Sequence, residues 1–238
     1  MSVVSSGTRN MSLQGIFASE ARDQGKSART RARLMDAAVS VFARVGFEAA
    51  SVNEIAQTAD VANGTFYLHF KDKDEIVSAV AYRIAGDIAR QLDEAMTDMD
   101  DAIERTCFAT RQFIDIGCSE PEWGWAIFRA AWFLPALRMR SNQYLRADLQ
   151  RGARQGSFSV KIDHFLVDMF GSMVLTALFG RLTGEADEDA GSRVAELQLR
   201  MLGVPAAKAK KAAWRKIEPL KLRASTALAG LVPGRSKR

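Results

Sequence analysis

Cysteine and histidine are scarce in this chain, two of each in 238 residues, and none of them stands in a metal-binding cluster. No metal site is expected. Cys107 and Cys118 fall on one expected helix, where a rise of ~1.5 Å per residue puts them about 16 Å apart, beyond the ~7 Å Cα limit for a disulfide. They read as small buried hydrophobes of a reducing compartment. Also missing are a glycine loop that could cradle phosphate, a Ser/His/Asp set, and a carboxylate pair with a partner histidine in an apolar run. No catalytic residue and no cofactor is expected, and the chain is not expected to be an enzyme. Long apolar runs are absent too: the most apolar, Met169 to Gly180, has about 12 residues where a bilayer needs ~20. The N-terminus has no apolar stretch behind its charges, as a signal peptide would have. A cytoplasmic protein without stable membrane insertion is expected.

What the chain does have is a sizeable apolar content, 47%, enough for a small domain and a larger one. Its net charge of +5 is unevenly placed. From Ala206 onward ten Lys/Arg face one acidic residue, a net +9, so the first 205 residues carry −4. The basicity belongs to the tail, and any nucleic-acid argument must rest on a motif.

That motif lies between residues 51 and 70. Ser51 and Glu54 form a capping box, so a helix starts at Val52. Ile55, Ala56 and Ala59 give it a narrow apolar stripe. Asp60-Val61-Ala62 reads as a turn, Asp tolerating left-handed backbone better than most residues. In the segment that follows, Phe66 and Phe70 face inward together, which leaves Asn63, Gly64, Thr65, Tyr67, Leu68 and His69 around the outer surface. The pair is a helix-turn-helix. Upstream, Leu34, Ala38, Val41, Phe42 and Val45 recur three and four apart, Gly46 is a left-handed stop, and Phe47 is expected to close the small core.

The run Gly64-Thr65-Phe66-Tyr67-Leu68-His69-Phe70, followed by Lys71-Asp72-Lys73-Asp74-Glu75, resembles the recognition helix and fourth-helix start of the tetracycline-repressor (TetR) family; the helix from Arg31 to Phe47 fits the same pattern. The match covers about residues 29 to 77. Asp60 stands where the family usually has Gly, and Ala62 where it usually has a capping Ser. The resemblance assigns Tyr67 and His69 to phosphates, joined by Lys71 or Lys73. By residue chemistry Thr65 and Asn63 suit base edges, Gly64 allows close approach and Leu68 suits a thymine methyl. With Ser51 at the start of the supporting helix, these residues make up the expected DNA-facing set. An all-α fold is implied: an N-terminal three-helix DNA-binding domain, then a larger helical domain for ligand binding and dimerisation.

Expected boundaries are a mobile extension over 1–27, the DNA-binding domain over 28–73, the effector and dimerisation domain over 74–205, and a basic tail over 206–238. In the extension, Arg22, Lys26 and Arg29 belong either to a plain disordered segment or to a DNA-holding arm. Ile76, Val80, Ile84, Ile88, Leu92 and Met96 predict a long amphipathic helix. Further helices are expected over 100–117, from Ser119 to Pro135, over 141–155, from Asp163 to Leu182 and over 187–202. The 163–182 helix is apolar nearly all round and is expected to be buried on all sides. Three of the four tryptophans cluster on the helix from Ser119 to Pro135: Trp123, Trp125 and Trp132, with Phe128 and Phe133. They serve as core, as the wall of a small-molecule cavity, or as both. The expected effector set is Phe108, Trp123, Trp125, Phe128, Trp132, Phe170 and Met173. The tail is a solvated and partly helical segment, a non-specific phosphate binder, or a membrane-surface segment.

The expectation for function is a homodimeric, sequence-specific regulator, a repressor released from a palindromic operator in double-stranded DNA by a small, largely apolar effector of unknown identity. The homodimer and the effector control are implied by the resemblance. The alternative is a helix-turn-helix regulator instructed by a protein partner.

Overall fold

The structure is a computed structural model that describes Phe17, residues 21–119 and 143–220, and residues 121, 124, 125, 127, 128 and 131 between them. All regular elements among the described residues are helical. They divide into two compact units, one ending at Lys73 and the other starting at Asp74.

In the first unit α1 runs Lys26–Ala49, α2 Val52–Thr58 and α3 Asn63–Tyr67. Leu34, Ala38, Val41 and Phe42 of α1 are buried with Ile55 and Ala56 of α2 and with Phe66 and Phe70. A phenylalanine so buried contributes about 1.5–3 kcal/mol. Gly46 breaks the regular helix of α1 as expected, at φ 77°, and a short helical stretch resumes beyond the kink to Ala49. Val45 is only half-buried, and the Phe47 side chain lies outside the described residues. The extension contributes to this core. Phe17 and Ala21 are buried, and the Phe17 amide donates to the buried Asp36 carboxylate at 2.8 Å. Those two positions were expected to be mobile; a buried carboxylate needs a donor, and the Phe17 backbone supplies one.

In the second unit α4 spans Lys73–Ala95, α5 Ala102–Ser119, α6 Gln143–Arg154, α7 His164–Thr183, α8 Ala190–Met201 and α9 Ala206–Ala213. Ile76, Val80, Ile88, Leu92 and Met96 of the expected stripe are buried, and the Ile84 side chain lies outside the described residues. α5 is central, with α6, α7, α8 and α9 packed against it. Ile103, Cys107, Leu149, Val167, Phe170, Leu199 and Leu202 form a shared core with Ala209 and Ala213 of α9. The Asp163 side chain caps α7 by accepting from the Leu166 amide at 3.0 Å, and Gly184 ends it at φ 77°.

Two expectations change here. Residues 206–220 are docked, not a free tail. Ala209 and Ala213, four apart, face the core; Arg111 donates to the Ala213 and Arg215 carbonyls at 3.0 and 2.6 Å; and the Gln112 amide bonds both the Glu218 carbonyl and the Leu220 amide. Nor is α7 buried on all sides. Phe165 is 73% exposed and Met169 43%, and on α8 Leu197 is 52% exposed. At 20 residues α7 is also long and apolar enough, by length and composition, to cross a membrane, although the run from Met169 to Gly180 alone is too short.

Candidate nucleic-acid interface and ligand cavity

The helix-turn-helix is built from local signals, though of the expected capping box only the Ser51 half is seen. The Ser51 hydroxyl accepts from the Glu54 amide at 3.2 Å, while the Glu54 carboxylate accepts from Arg44 at 2.8 Å. Asp60 takes φ 52°, a left-handed conformation that costs most residues roughly 1–2 kcal/mol and Asp less. It lets the Val61 amide close on the Ala56 carbonyl at 3.0 Å, and Arg33 latches the same turn by donating to the Ala59 carbonyl at 2.6 Å. Ala62 is the N-cap of α3 and supplies no side-chain bond. Asn63 is therefore the first helical residue, and its amide donates sideways to Asn53 at 3.3 Å.

Phe66 and Phe70 fix the inner face, their rings 5.7 Å apart, with the Arg31 guanidinium 4.5 Å from the Phe70 ring centre. The outer face is left bare. Leu68 is 82% exposed and Tyr67 57%, Asn63 and Gly64 are exposed, and Thr65 and His69 are half-buried. A Cβ on Gly64 would meet nothing within 4 Å. Lys71 is exposed and lies 3.6 Å from Asp72, whereas the Lys73 ammonium donates to the Glu48 carbonyl at 3.1 Å. An exposed leucine and tyrosine beside an open glycine, on a helix anchored by two phenylalanines, form a surface suited to a partner carrying both apolar and polar groups.

Residues of the second unit line a partly open cavity of about 170 Å³, comparable in volume to the ~150 Å³ engineered cavity known to hold benzene. Ala81, Tyr82, Ala85, Ala89, Leu92 and Met96 line it from the α4 side, and Thr106, Ala109, Thr110 and Phe113 from α5. Among the described residues, Ile127, Ala131, Tyr144, Leu145, Asp148, Phe170, Gly171, Val174 and Leu175 also line it. Of the expected effector residues, the cavity gathers Phe170. Phe108 lies on the opposite side of α5 from Thr106, Ala109, Thr110 and Phe113, and Met173, although one turn from Phe170, is not among the lining residues. Trp125 and Phe128 do not line it: their rings pack on Phe179 at 5.7 and 5.0 Å. Trp123, Trp132 and Phe133 lie outside the described residues.

One edge of the cavity is polar. Arg105, nearly fully buried, donates from Nε to Asp148 at 2.6 Å, from one Nη to Asp93 at 2.8 Å and from the other to the Met96 carbonyl. Burial pushes the Asp148 carboxyl above its ordinary range, against the pull of this guanidinium. The Thr110 hydroxyl is engaged with Gln198 at 2.7 Å. The buried Thr106 hydroxyl has no hydrogen-bond partner among the described residues.

Residues 34–80 match the model of bacterial regulatory proteins of the tetR family, and residues 101–215 that of the tetracyclin repressor-like C-terminal domain. The chain belongs to the TetR family. This is a family of DNA-binding transcriptional regulators, and the N-terminal match takes in α2 and α3 with the turn between them. The fatty acid metabolism regulator protein of Bacillus subtilis (strain 168) is 34% identical over 73 residues, 31% of this TetR-family chain and 38% of that protein. The transcriptional regulator AcrR of Shigella flexneri is 39% identical over 51 residues, 21% of this chain and 24% of that protein. The chain thus spans well under half the length of these curated relatives. Among solved structures, that of RolR in complex with the ligand resorcinol superposes with a TM-score of 0.72 at 28% identity, covering 82% of this chain and 98% of that one.

Proposed function

We propose that this TetR-family protein is a homodimeric, sequence-specific repressor that leaves a palindromic operator when a small, largely apolar effector fills the cavity of its second unit. The observation that carries the DNA-reading half is α3, where Tyr67 and Leu68 stand exposed beside the open Gly64. Thr65, Asn63 and Leu68 read base edges; Tyr67, His69, Lys71 and Lys73 hold phosphates; Ser51 sets the start of the supporting helix. A dimer presents two such helices about 34–36 Å apart to successive major grooves, which makes the operator palindromic. Phe165, Met169 and Leu197 support the dimer, being apolar surface that a second copy would cover.

Support for effector control comes from the cavity, which is mostly apolar and of single-ring size, and from RolR, whose structure holds the one-ring ligand resorcinol. The effector acts by its differential affinity for the DNA-bound and released conformations. α4 contributes Ala81, Ala85 and Ala89 to the cavity and begins at Lys73, so one helix runs from the ligand to the end of the DNA-reading unit. Such a protein works in a bacterial-type cytosol, at the nucleoid when bound.

The test is selection of duplexes from a random pool, then anisotropy titrations across a salt series with wild type and Tyr67→Ala. An enriched palindrome, bound far more tightly than random DNA and lost with Tyr67→Ala, is the expected result. Weak, salt-steep binding that ignores sequence and survives Tyr67→Ala sinks the proposal. With the palindrome in hand, resorcinol is expected to lower its affinity.

A further inference from the structure

We infer that the basic face at the start of α1, Lys26 and Arg29 leading to Arg33, holds the DNA backbone beside the groove that α3 reads, with Arg22 of the docked N-terminal segment at its outer end. The inference rests on the reading of α3 as the DNA-reading helix, and it adds a phosphate-binding surface outside the helix-turn-helix.

Positions 26, 29 and 33 fall within about 60° of one another round a helix of ~3.6 residues per turn. Ala37 continues the same face and is buried within the unit. One turn earlier, Arg33 donates to the Ala59 carbonyl at 2.6 Å and lies 3.8 Å from the Asp60 carboxylate, in the turn that leads into Asn63. Further back again, Arg29 and Lys26 are exposed, beyond the part of the face that the helix-turn-helix covers. The row therefore begins at the entry to α3, where Asn63 and Gly64 are exposed, and leads away from it. In a helix-turn-helix the start of the recognition helix enters the major groove, so a row leading away from that start meets the sugar-phosphate backbone at the groove's edge.

Arg22 is tied to this row through the backbone around it. Phe17 and Ala21 are buried, the Ala21 amide donates to the Phe17 carbonyl at 3.1 Å and the Gln24 amide to the Ala21 carbonyl at 3.0 Å, and Arg29 donates to the Gln24 carbonyl at 2.7 Å. Of the described acidic residues, Asp23 and Asp60 stand beside the four cations, which leaves the row a net +2 (four cations, two carboxylates). Helix stability does not account for these charges. The N-cap of α1 is Gly25, which makes no side-chain bond, the first turn holds no acid, and a cation at a helix N-terminus opposes the macrodipole. A phosphate backbone is the partner against which such a row becomes favourable.

The experiment is anisotropy titration of the full chain across a salt series, on the selected operator and on a random duplex. The double variant Arg22→Gln, Lys26→Gln is compared with Lys208→Gln, Lys210→Gln, which removes the same charge from exposed positions of α9. Each phosphate contact contributes about 0.9 to the slope of log K against log salt, so a dimer losing four contacts should show a slope shallower by about three to four. Both duplexes should be bound more weakly by one common factor, because backbone contacts carry no sequence information. The α9 variant should keep the wild-type slope. The melting temperature of the Arg22, Lys26 variant should not fall, since cations have left the positive end of a helix. An unchanged slope with tight operator binding overturns the inference and leaves the α3 reading standing. An equal fall in both double variants overturns it too, since the effect would then be one of net charge. Wild type that selects no sequence overturns the α3 reading, and the inference with it.

Discussion

Gly64→Ala separates the stability of the DNA-reading unit from its task. In the free protein Gly64 is the second residue of α3, in helical backbone, and a Cβ there meets nothing within 4 Å. The added methyl therefore removes only the entropic cost of glycine in a helix, a gain of roughly 0.5–1 kcal/mol. For a chain of this size that is about 1–4 °C in melting temperature. On the proposed reading the same methyl stands where the helix backbone comes nearest the groove, and forcing one group into a tight fit costs about 1–3 kcal/mol, or roughly 5- to 150-fold in Kd. The mutant should be more stable and bind worse. Gly86→Ala on α4, whose Cβ also meets nothing within 4 Å, is the control: a similar stability gain with DNA affinity unchanged. Differential scanning calorimetry and anisotropy titration of the selected operator read the two effects. Unaltered operator affinity in Gly64→Ala would refute the close approach of α3 to DNA, and a fall in melting temperature would refute the open space above Gly64.

Other expectations bear on the second unit. Phe165→Asp puts a charge on the exposed apolar face of α7, and sedimentation equilibrium should show a shift from dimer towards monomer; an unchanged mass would remove α7 from the interface. Gly152→Ala places a Cβ 2.0 Å from the buried Phe158 ring and should cost about 1–3 kcal/mol in urea unfolding, since the ring must shift within the core. Burial pushes the Cys107 thiol up to about 12, so at pH 8 it should resist iodoacetamide in the native protein and react on unfolding, as followed by mass spectrometry. Rapid native alkylation of Cys107 would contradict its packing.

The helix-turn-helix was legible because every signal in it is local. Ser51 caps within three residues, Phe66 and Phe70 pair within one turn, and Asp60 tolerates the left-handed backbone that the turn requires. The stripe from Ile76 to Met96 was legible by period alone. The docking of Phe17 was not, because a lone apolar residue in a polar stretch carries no period, and its partner, Asp36, lies 19 positions away. Residues 206–220 misled through composition. Lysines 208, 210 and 211 dominate the count, while the small pair Ala209 and Ala213 decides which face is buried. α7 reads apolar all round, and sequence cannot say whether its own chain or another copy covers each side. The cavity misled for the opposite reason to the tail. Large aromatics draw the eye, but Trp125 and Phe128 fill space against Phe179, and the void opens where side chains are small.

If the cavity is the effector site proposed above, small side chains give it a simple route of evolutionary change. Ala81, Ala85 and Ala89 stand one turn apart on α4, with Ala109 on α5, Ala131 and Gly171 around the same void, so its shape is drawn largely by missing methylenes. Alanine to leucine or methionine at one of these sites keeps a good helix former in place and trims the void by part of a side chain. Alanine to glycine widens it slightly at a modest propensity cost. Ligand range can therefore drift in single substitutions on α4, leaving the residues of α3 untouched. On the proposed reading a lineage could acquire a new inducer while keeping its operator, because the residues of the cavity and those of α3 are different positions of the chain.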